Sequence, residues 1–171
     1  MYVDIEDKAN VAVVDAKAMT VTAHYDLGGK AITPAGLAFD VKNHVLFVAC
    51  RTPAPGMMVM LDARTGKVIS TLPLAGSSDG AVFNPKTKEA FSSASNGTLT
   101  VIKENSPDSF VVEQIVQTMP SAKTLTLDSK TNHILLIAAE FGPAATQAPA
   151  GGRPNRGPMV PDSFSILVVG K

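Results

Sequence analysis

One spacing constrains the fold of this chain more than any other feature: a seven-residue pattern recurs at steps of 44 residues. Each copy ends an apolar run with Asp or Asn and then continues into a polar turn. The three copies are Gly36–Lys42, Gly80–Lys86 and Thr124–Lys130. Asp and Asn suit this place because their side chains hydrogen-bond the backbone of the turn. Repeats of about 40–50 residues are typical of four-stranded propeller blades, so the spacing predicts radial repetition.

Further apolar runs complete the repeating unit. The second run is VLFVAC, AFSSAS or ILLIAA in successive copies, and the third covers Met57–Leu61, Thr98–Ile102 and Ser165–Val169. VISTLPL and FVVEQIV supply a fourth. Val, Ile and Thr are frequent in these runs, and stretches such as TLTVI alternate with period two, as strands do. The sequence therefore predicts an all-β fold, a β-propeller of four-stranded antiparallel blades.

The runs divide the chain into roughly three and a half blades. We expect a partial blade at 1–33, complete blades at 34–76 and 77–119, and a partial blade at 120–171. The last contains a Pro- and Gly-rich loop, 141–162, expected to be extended and mobile. This division predicts a partial ring whose N-terminal half is missing. Exposed blade edges make self-association a further expectation.

A Tyr-Val strand, an Asn-x-Val-x-Val strand that ends in Asp, and a Pro-x-Gly-x-Ala segment follow one another along the chain. Their residues are Tyr2, Val3, Asn10, Val11, Val13, Asp15, Pro34, Gly36 and Ala38. In these residues the chain resembles the YVTN-family β-propeller repeat, as found in YncE-like bacterial proteins. The resemblance covers nearly the whole chain, although Asn84-Pro85 and the polar run FSSAS depart from the pattern. It implies rings of about seven blades. It also implies a periplasmic or extracellular location, reached through a leader; MYVDIEDKAN does not read as a signal peptide.

Composition argues against several classes of function. The chain has 15 basic and 15 acidic residues, so it lacks the basic excess typical of nucleic-acid binding. No run approaches the roughly 20 apolar residues of a membrane-spanning helix. Cys50 is the single cysteine, which excludes an intrachain disulfide. Its place in an apolar run predicts a small buried residue.

Candidate binding residues come from loops that a propeller gathers at one face, around the mouth of the central channel. They are Arg51, Asp79, Lys123 and Glu140. Their charges suit a polar or charged ligand. The alternative interpretation is that they are solvated loop residues with local ion pairs. Asp4 and Glu6 are candidates for the same face.

The sequence predicts neither a metal site, a cofactor nor a catalytic residue. His44 and His133 fall in matching turns on the opposite face, and His24 falls in an outer strand, without metal-ligand spacing. No nucleophile elbow, P-loop or His-Glu-x-x-His motif is present. Ser92 and Ser93 lack a histidine on their face.

The sequence therefore favours a non-catalytic scaffold or binding module, part of a larger ring, whose partner is a protein or a small ligand. The alternative is a fragment of a propeller enzyme, similar to lactonases or quinoprotein dehydrogenases. Such an enzyme would need carboxylates or a cofactor contributed by many blades, with Asp79 and Glu140 among them. Neither nucleic acid nor a membrane span is expected.

Overall fold

The computed structural model describes residues 1–143 and 157–170, which form antiparallel β-sheets. Sheet 1 contains β1 (Tyr2–Ile5), β2 (Asn10–Asp15) and β3 (Thr20–Asp26). Sheet 2 contains β4 (Ile32–Asp40), β5 (Val45–Thr52), β6 (Met57–Asp62) and β7 (Val68–Pro73). Sheet 3 contains β8 (Ser78–Asn84), β9 (Glu89–Ala94), β10 (Thr98–Ser106) and β11 (Ser109–Gln117). Sheet 4 contains β12 (Thr124–Asp128), β13 (His133–Ala138) and β14 (Ser165–Val169).

Within each sheet, every strand pairs with the strand that follows it in the chain. A short 3-10 turn, Glu6–Lys8, connects β1 to β2. The all-β prediction is therefore confirmed. The Pro- and Gly-rich loop is described only at its ends, where Phe141 pairs with Met159. Residues 144–156, on which the prediction of an extended, mobile loop mainly falls, lie outside the described residues.

The repeated turns form as the sequence predicts. Asp40 accepts a hydrogen bond from the Lys42 N–H at 2.9 Å, and Asn84 accepts the equivalent bond from Lys86 at 3.0 Å. Asp128 does the same for Lys130 at 3.0 Å. Each side chain thus closes its own hairpin turn, which explains why Asp or Asn recurs at this position.

An apolar core fills each space between consecutive sheets. Leu46, Val48 and Val59 of sheet 2 face sheet 1, whereas Phe47 and Met60 on alternate positions face sheet 3. All five are fully buried. Because successive residues of a strand point to opposite faces, a central strand such as β5 must be apolar on both. This requirement explains the continuous run VLFVAC.

Phe47 is the centre of an aromatic group between sheets 2 and 3. Its ring stacks on Phe83 with centroids 5.2 Å apart and meets Phe110 edge-on at 5.7 Å. These offset and edge-to-face geometries are the ones that aromatic pairs prefer. The group therefore ties together β5, β8 and β11.

The first strands of sheets 2 and 3 approach each other closely at two glycines that stand 44 residues apart. A Cβ on Gly36 would lie 2.6 Å from the backbone carbonyl carbon of Gly80. A Cβ on Gly80 would instead meet the Leu125 Cδ2 atom at 2.7 Å. Only a residue without a side chain permits this backbone contact between β4 and β8.

Candidate functional site

Three of the predicted site residues, Arg51, Asp79 and Lys123, lie together in the structure. Arg51 follows the buried part of β5, near the end of that strand. Asp79 occupies a β-bulge near the start of β8, where the register shifts between Ser78 and Gly80. A bulged residue is released from the ladder, and bulges often re-aim a side chain in this way. Lys123 directly precedes β12.

Arg51 organises the contacts of this group. Its Nη2 donates to the Asp79 Oδ1 at 2.8 Å, and its Nη1 donates to the Glu6 Oε1 at 2.6 Å. Its Nε donates to the Ser78 carbonyl oxygen at 3.0 Å. The fixed fork of donors on a guanidinium allows it to hold these acceptors at once. Arg51 therefore links sheets 1, 2 and 3.

Lys123 extends the network to sheet 4. Its Nζ lies 2.9 Å from the Asp79 Oδ2, so each oxygen of this carboxylate contacts a different cation. The Lys123 carbonyl oxygen also accepts a hydrogen bond from the Ser93 hydroxyl. We call Glu6, Arg51, Asp79 and Lys123 the charged rim. Its four charges alternate in sign, and each lies in, or directly next to, a strand of a different sheet.

Glu140, the fourth predicted site residue, does not join the charged rim. It follows β13, and its backbone N–H donates to the Ser163 hydroxyl at 3.1 Å. Its side chain is exposed and forms no ion pair within the described part of the chain. Glu140 follows the second strand of its sheet, as the sequence predicts. Whether its side chain reaches Asp79 depends on the path of the loop after β13.

Asp4 lies deeper than the charged rim, on β1. Its Oδ1 is buried without a hydrogen-bond partner, and burial raises the pKa of Asp4 to about 6. Cys50 is fully buried, as predicted. Burial, with a smaller contribution from the Asp4 charge, raises the pKa of the Cys50 thiol to about 12. This cysteine is therefore an unreactive thiol at neutral pH.

Glu104 is a buried carboxyl at the other end of the strands, and no motif in the sequence points to it. Glu104 is only 1% exposed; its Oε1 accepts from the Asn43 Nδ2 at 2.6 Å, and its Oε2 has no hydrogen-bond partner. Burial, together with the neighbouring Asp40 carboxyl, raises the pKa of Glu104 to about 7. Period-two alternation from the buried Ile102 would have placed Glu104 on the face toward sheet 2.

Replacing Glu104 with glutamine is expected to flatten the dependence of stability on pH. The folded-state pKa lies above the ordinary value of 4.5, so folding favours the protonated acid. The wild type should lose about 2 kcal/mol of unfolding free energy as pH rises from 5 to 8. Asp4, whose pKa is also raised, adds to this loss. The Asn43 hydrogen bond and, to a smaller extent, the Lys88 charge lower the pKa of Glu104 and so reduce the loss.

Urea unfolding at several pH values between 5 and 8 would measure the effect. Glu113→Gln, at an exposed position of β11, is the matched control and should keep the wild-type slope. An unchanged slope in the Glu104→Gln protein would show that this carboxyl is ionised at little cost when buried.

The histidines do not assemble a metal site in the part of the chain that the structure describes. No group of three or more His, Cys, Asp or Glu side chains there could hold a metal ion. His44 lies in the β4–β5 turn with φ at 57°, and His24 shares a hydrogen bond with Asn10 at 3.2 Å.

No family model matches the sequence, and no curated protein is similar to it. Solved structures show the fold. A chain of Kuenenia stuttgartiensis hydrazine synthase has a TM-score of 0.70 at 16% identity, over 84% of this chain and 40% of that one. The Cps50 (Swd1) β-propeller domain of Myceliophteria thermophila has a TM-score of 0.58 at 14% identity, over 75% of this chain and 42% of that one.

The fold is that of a β-propeller. BamB from Moraxella catarrhalis is also similar, with a TM-score of 0.57 at 21% identity, over 80% of this chain and 39% of that one. The propeller predicted from the 44-residue spacing is therefore confirmed. This chain spans about two fifths of the length of the propeller chains that it matches. The YVTN-type family remains a prediction from the repeat pattern, since no sequence match supports it.

The described residues contain no helix long and apolar enough to cross a membrane.

Proposed function

We propose that this chain is a non-catalytic propeller module, part of a larger ring, that binds a protein or a small polar ligand at its charged rim. One observation carries the proposal: four sheets each contribute one charged side chain to a single network. Loops on a rigid propeller gather such groups from distant parts of the sequence. The exposed face that results offers both signs of charge within a short distance.

The charged rim has capacity for further contacts. The Lys123 side chain is 33% exposed, and its ammonium carries three donors, one of which is directed to Asp79. Glu6 is 53% exposed and pairs with Arg51 through one carboxylate oxygen. A ligand with a carboxylate near a cation could therefore contact Lys123 and Glu6 without breaking the central pair.

The internal ion pairs are also weak enough to be exchanged. Arg51 is 31% exposed and Asp79 is 24% exposed, so water screens their interaction. Pairs in such surroundings contribute about 0.2–1 kcal/mol each. A ligand that offers charge-assisted hydrogen bonds of its own would offset the loss of one pair.

Peptides that carry carboxylates are expected to bind the wild-type protein and to bind an Arg51→Met variant at least tenfold more weakly. Methionine keeps much of the length of the side chain but removes all three hydrogen bonds that Arg51 donates. Fluorescence anisotropy would use labelled peptides of alternating Lys and Glu, of Glu alone and of Lys alone, at low salt. Binding through the rim should weaken as salt is raised.

Lys103→Met is the matched control, since it removes a half-buried cation from a pair on the opposite face with Glu89. The control should bind the peptides as the wild type does. Equal binding by Arg51→Met and wild type would contradict a ligand site at the rim. A rise in thermal stability with Ca²⁺ but with none of the peptides would favour the enzyme alternative, in which carboxylates hold a metal.

A periplasmic or extracellular location is part of the proposal. The fold alone does not support a location, because propellers occur with many functions. This part of the proposal therefore rests on the resemblance of the repeats to YVTN-type propellers.

A further inference from the structure

The two terminal sheets each leave one apolar face uncovered. On sheet 4, the open face carries Leu135, Ile137, Ile166 and Val168, in two cross-strand rows. Ile137 is 45% exposed, and Ile166 and Val168 are each 61% exposed. On sheet 1, the open face includes Val3 at 36% and Val21 at 55% exposure, and the register places Asn10 and His24 on the same face.

Equivalent residues in sheets 2 and 3 show which kind of surface the open face of sheet 4 would pack against. Leu135 stands 44 residues after Phe91 and 88 residues after Phe47, in the second strand of its sheet as they are in theirs. Phe47 is 0% exposed and Phe91 7%, and each packs against the following sheet. The open face of sheet 4 is thus the face that sheets 2 and 3 bury against their next neighbour.

The open face of sheet 1 corresponds to the opposite half of the same kind of interface. Val3 pairs with Ala12 in sheet 1 as Val48 pairs with Val59 in sheet 2. Val48 and Val59 are both fully buried against the preceding sheet. The chain therefore carries both complementary halves of one sheet-to-sheet interface, at its two ends.

The charged rim gives these ends opposite charges. The alternating order Glu6, Arg51, Asp79 and Lys123 begins with an anion on sheet 1 and ends with a cation on sheet 4. When sheet 4 of one copy packs on sheet 1 of another, Lys123 comes to the side on which the next copy presents Glu6. The alternation of charge then continues without a like-charge contact, which favours this pairing over end-to-end contacts between identical faces.

We propose that two copies of this chain associate head to tail, sheet 4 of each against sheet 1 of the other, and close an eight-sheet ring. Four sheets per copy give a ring within the four to eight blades typical of propellers. The aligned part of this chain covers about two fifths of the propeller chains it matches, so the aligned parts of two copies would cover about four fifths of one. Head-to-tail interfaces that close form rings rather than filaments. The proposal rests on the proposed role as part of a larger ring, and not on ligand binding at the rim.

Light scattering after size exclusion, supported by native mass spectrometry, would test the proposal on the 171-residue chain. The wild type should have twice the 17.8 kDa mass of the chain at concentrations of tens of micromolar. Ile137→Lys and Val3→Lys each block one face, so either variant alone should run at the single-chain mass. Mixed together, they should recover a one-to-one dimer through the two faces left intact.

Val111→Lys is the matched control, because Val111 is 45% exposed on the outer strand of sheet 3. It should remain dimeric, and circular dichroism should show that all three variants keep the β-sheet spectrum. A wild-type protein that stays monomeric across the concentration range would overturn the proposal. Sheets of another polypeptide would then be the partners of the two open faces. Species that grow with concentration, or failure of the mixture to recover a dimer, would also overturn it. Loss of peptide binding in Arg51→Met with an intact dimer tests the rim proposal separately.

Discussion

Replacing Phe47 with alanine is expected to lower the free energy of unfolding by about 3–5 kcal/mol. Phe47 is fully buried, and its ring contacts Phe83 and Phe110 from the adjacent sheet. The substitution removes the buried area of the ring and leaves a cavity. The walls of this cavity belong to strands that backbone hydrogen bonds fix within their sheets. Such walls relax only in part, so both the transfer and the cavity contributions to the cost remain.

Urea unfolding followed by circular dichroism would measure this loss. Phe164→Ala is the matched control, because the Phe164 side chain is 58% exposed. Its removal should change the free energy of unfolding by no more than about 0.5 kcal/mol. Similar small losses for both variants would show that sheets 2 and 3 can close the space left by Phe47.

Replacing Gly36 with alanine should destabilise the protein by about 2–3 kcal/mol, and replacing Gly80 should cost clearly less. The two glycines occupy equivalent positions in β4 and β8, so their intrinsic β-sheet propensities cancel in the comparison. The added methyl group meets backbone atoms of Gly80 and Ala81 in the first case. In the second it meets the end of the Leu125 side chain, which can rotate away.

Thermal unfolding of the two variants side by side would test this difference. If Gly80→Ala were as destabilising as Gly36→Ala, the close approach of backbones between sheets 2 and 3 would not be the cause. A double variant offers a further check, since the two positions are in contact and their effects should not add.

The sequence predicted the fold well because the repeat imposes the same local structure several times. Asp40, Asn84 and Asp128 mark hairpin turns whose chemistry is local, so their spacing alone indicates the strand order. Which sheet face each apolar residue covers then follows from alternation along the strand. Nothing in the sequence by itself gives the number of sheets that a ring contains.

The candidate site was predictable only in part. Arg51, Asp79 and Lys123 could be assigned to one face, because the end of a strand determines where its loop lies. Their contacts could not be predicted, since the bulge that releases Asp79 has no distinct signal beyond the neighbouring Gly80. The contacts of Glu140 could not be predicted either, because the direction of its side chain depends on the path of a loop. Secondary-structure propensities do not define that path.

The position of Cys50 gives the protein a natural reporter. The thiol is the chain's single cysteine, it is fully buried between sheets 1 and 2, and its pKa is raised to about 12. A thiol reagent can reach it only after these two sheets separate or the strand leaves the sheet. The rate of labelling at Cys50 therefore measures how often the interface opens under native conditions, without any engineered probe.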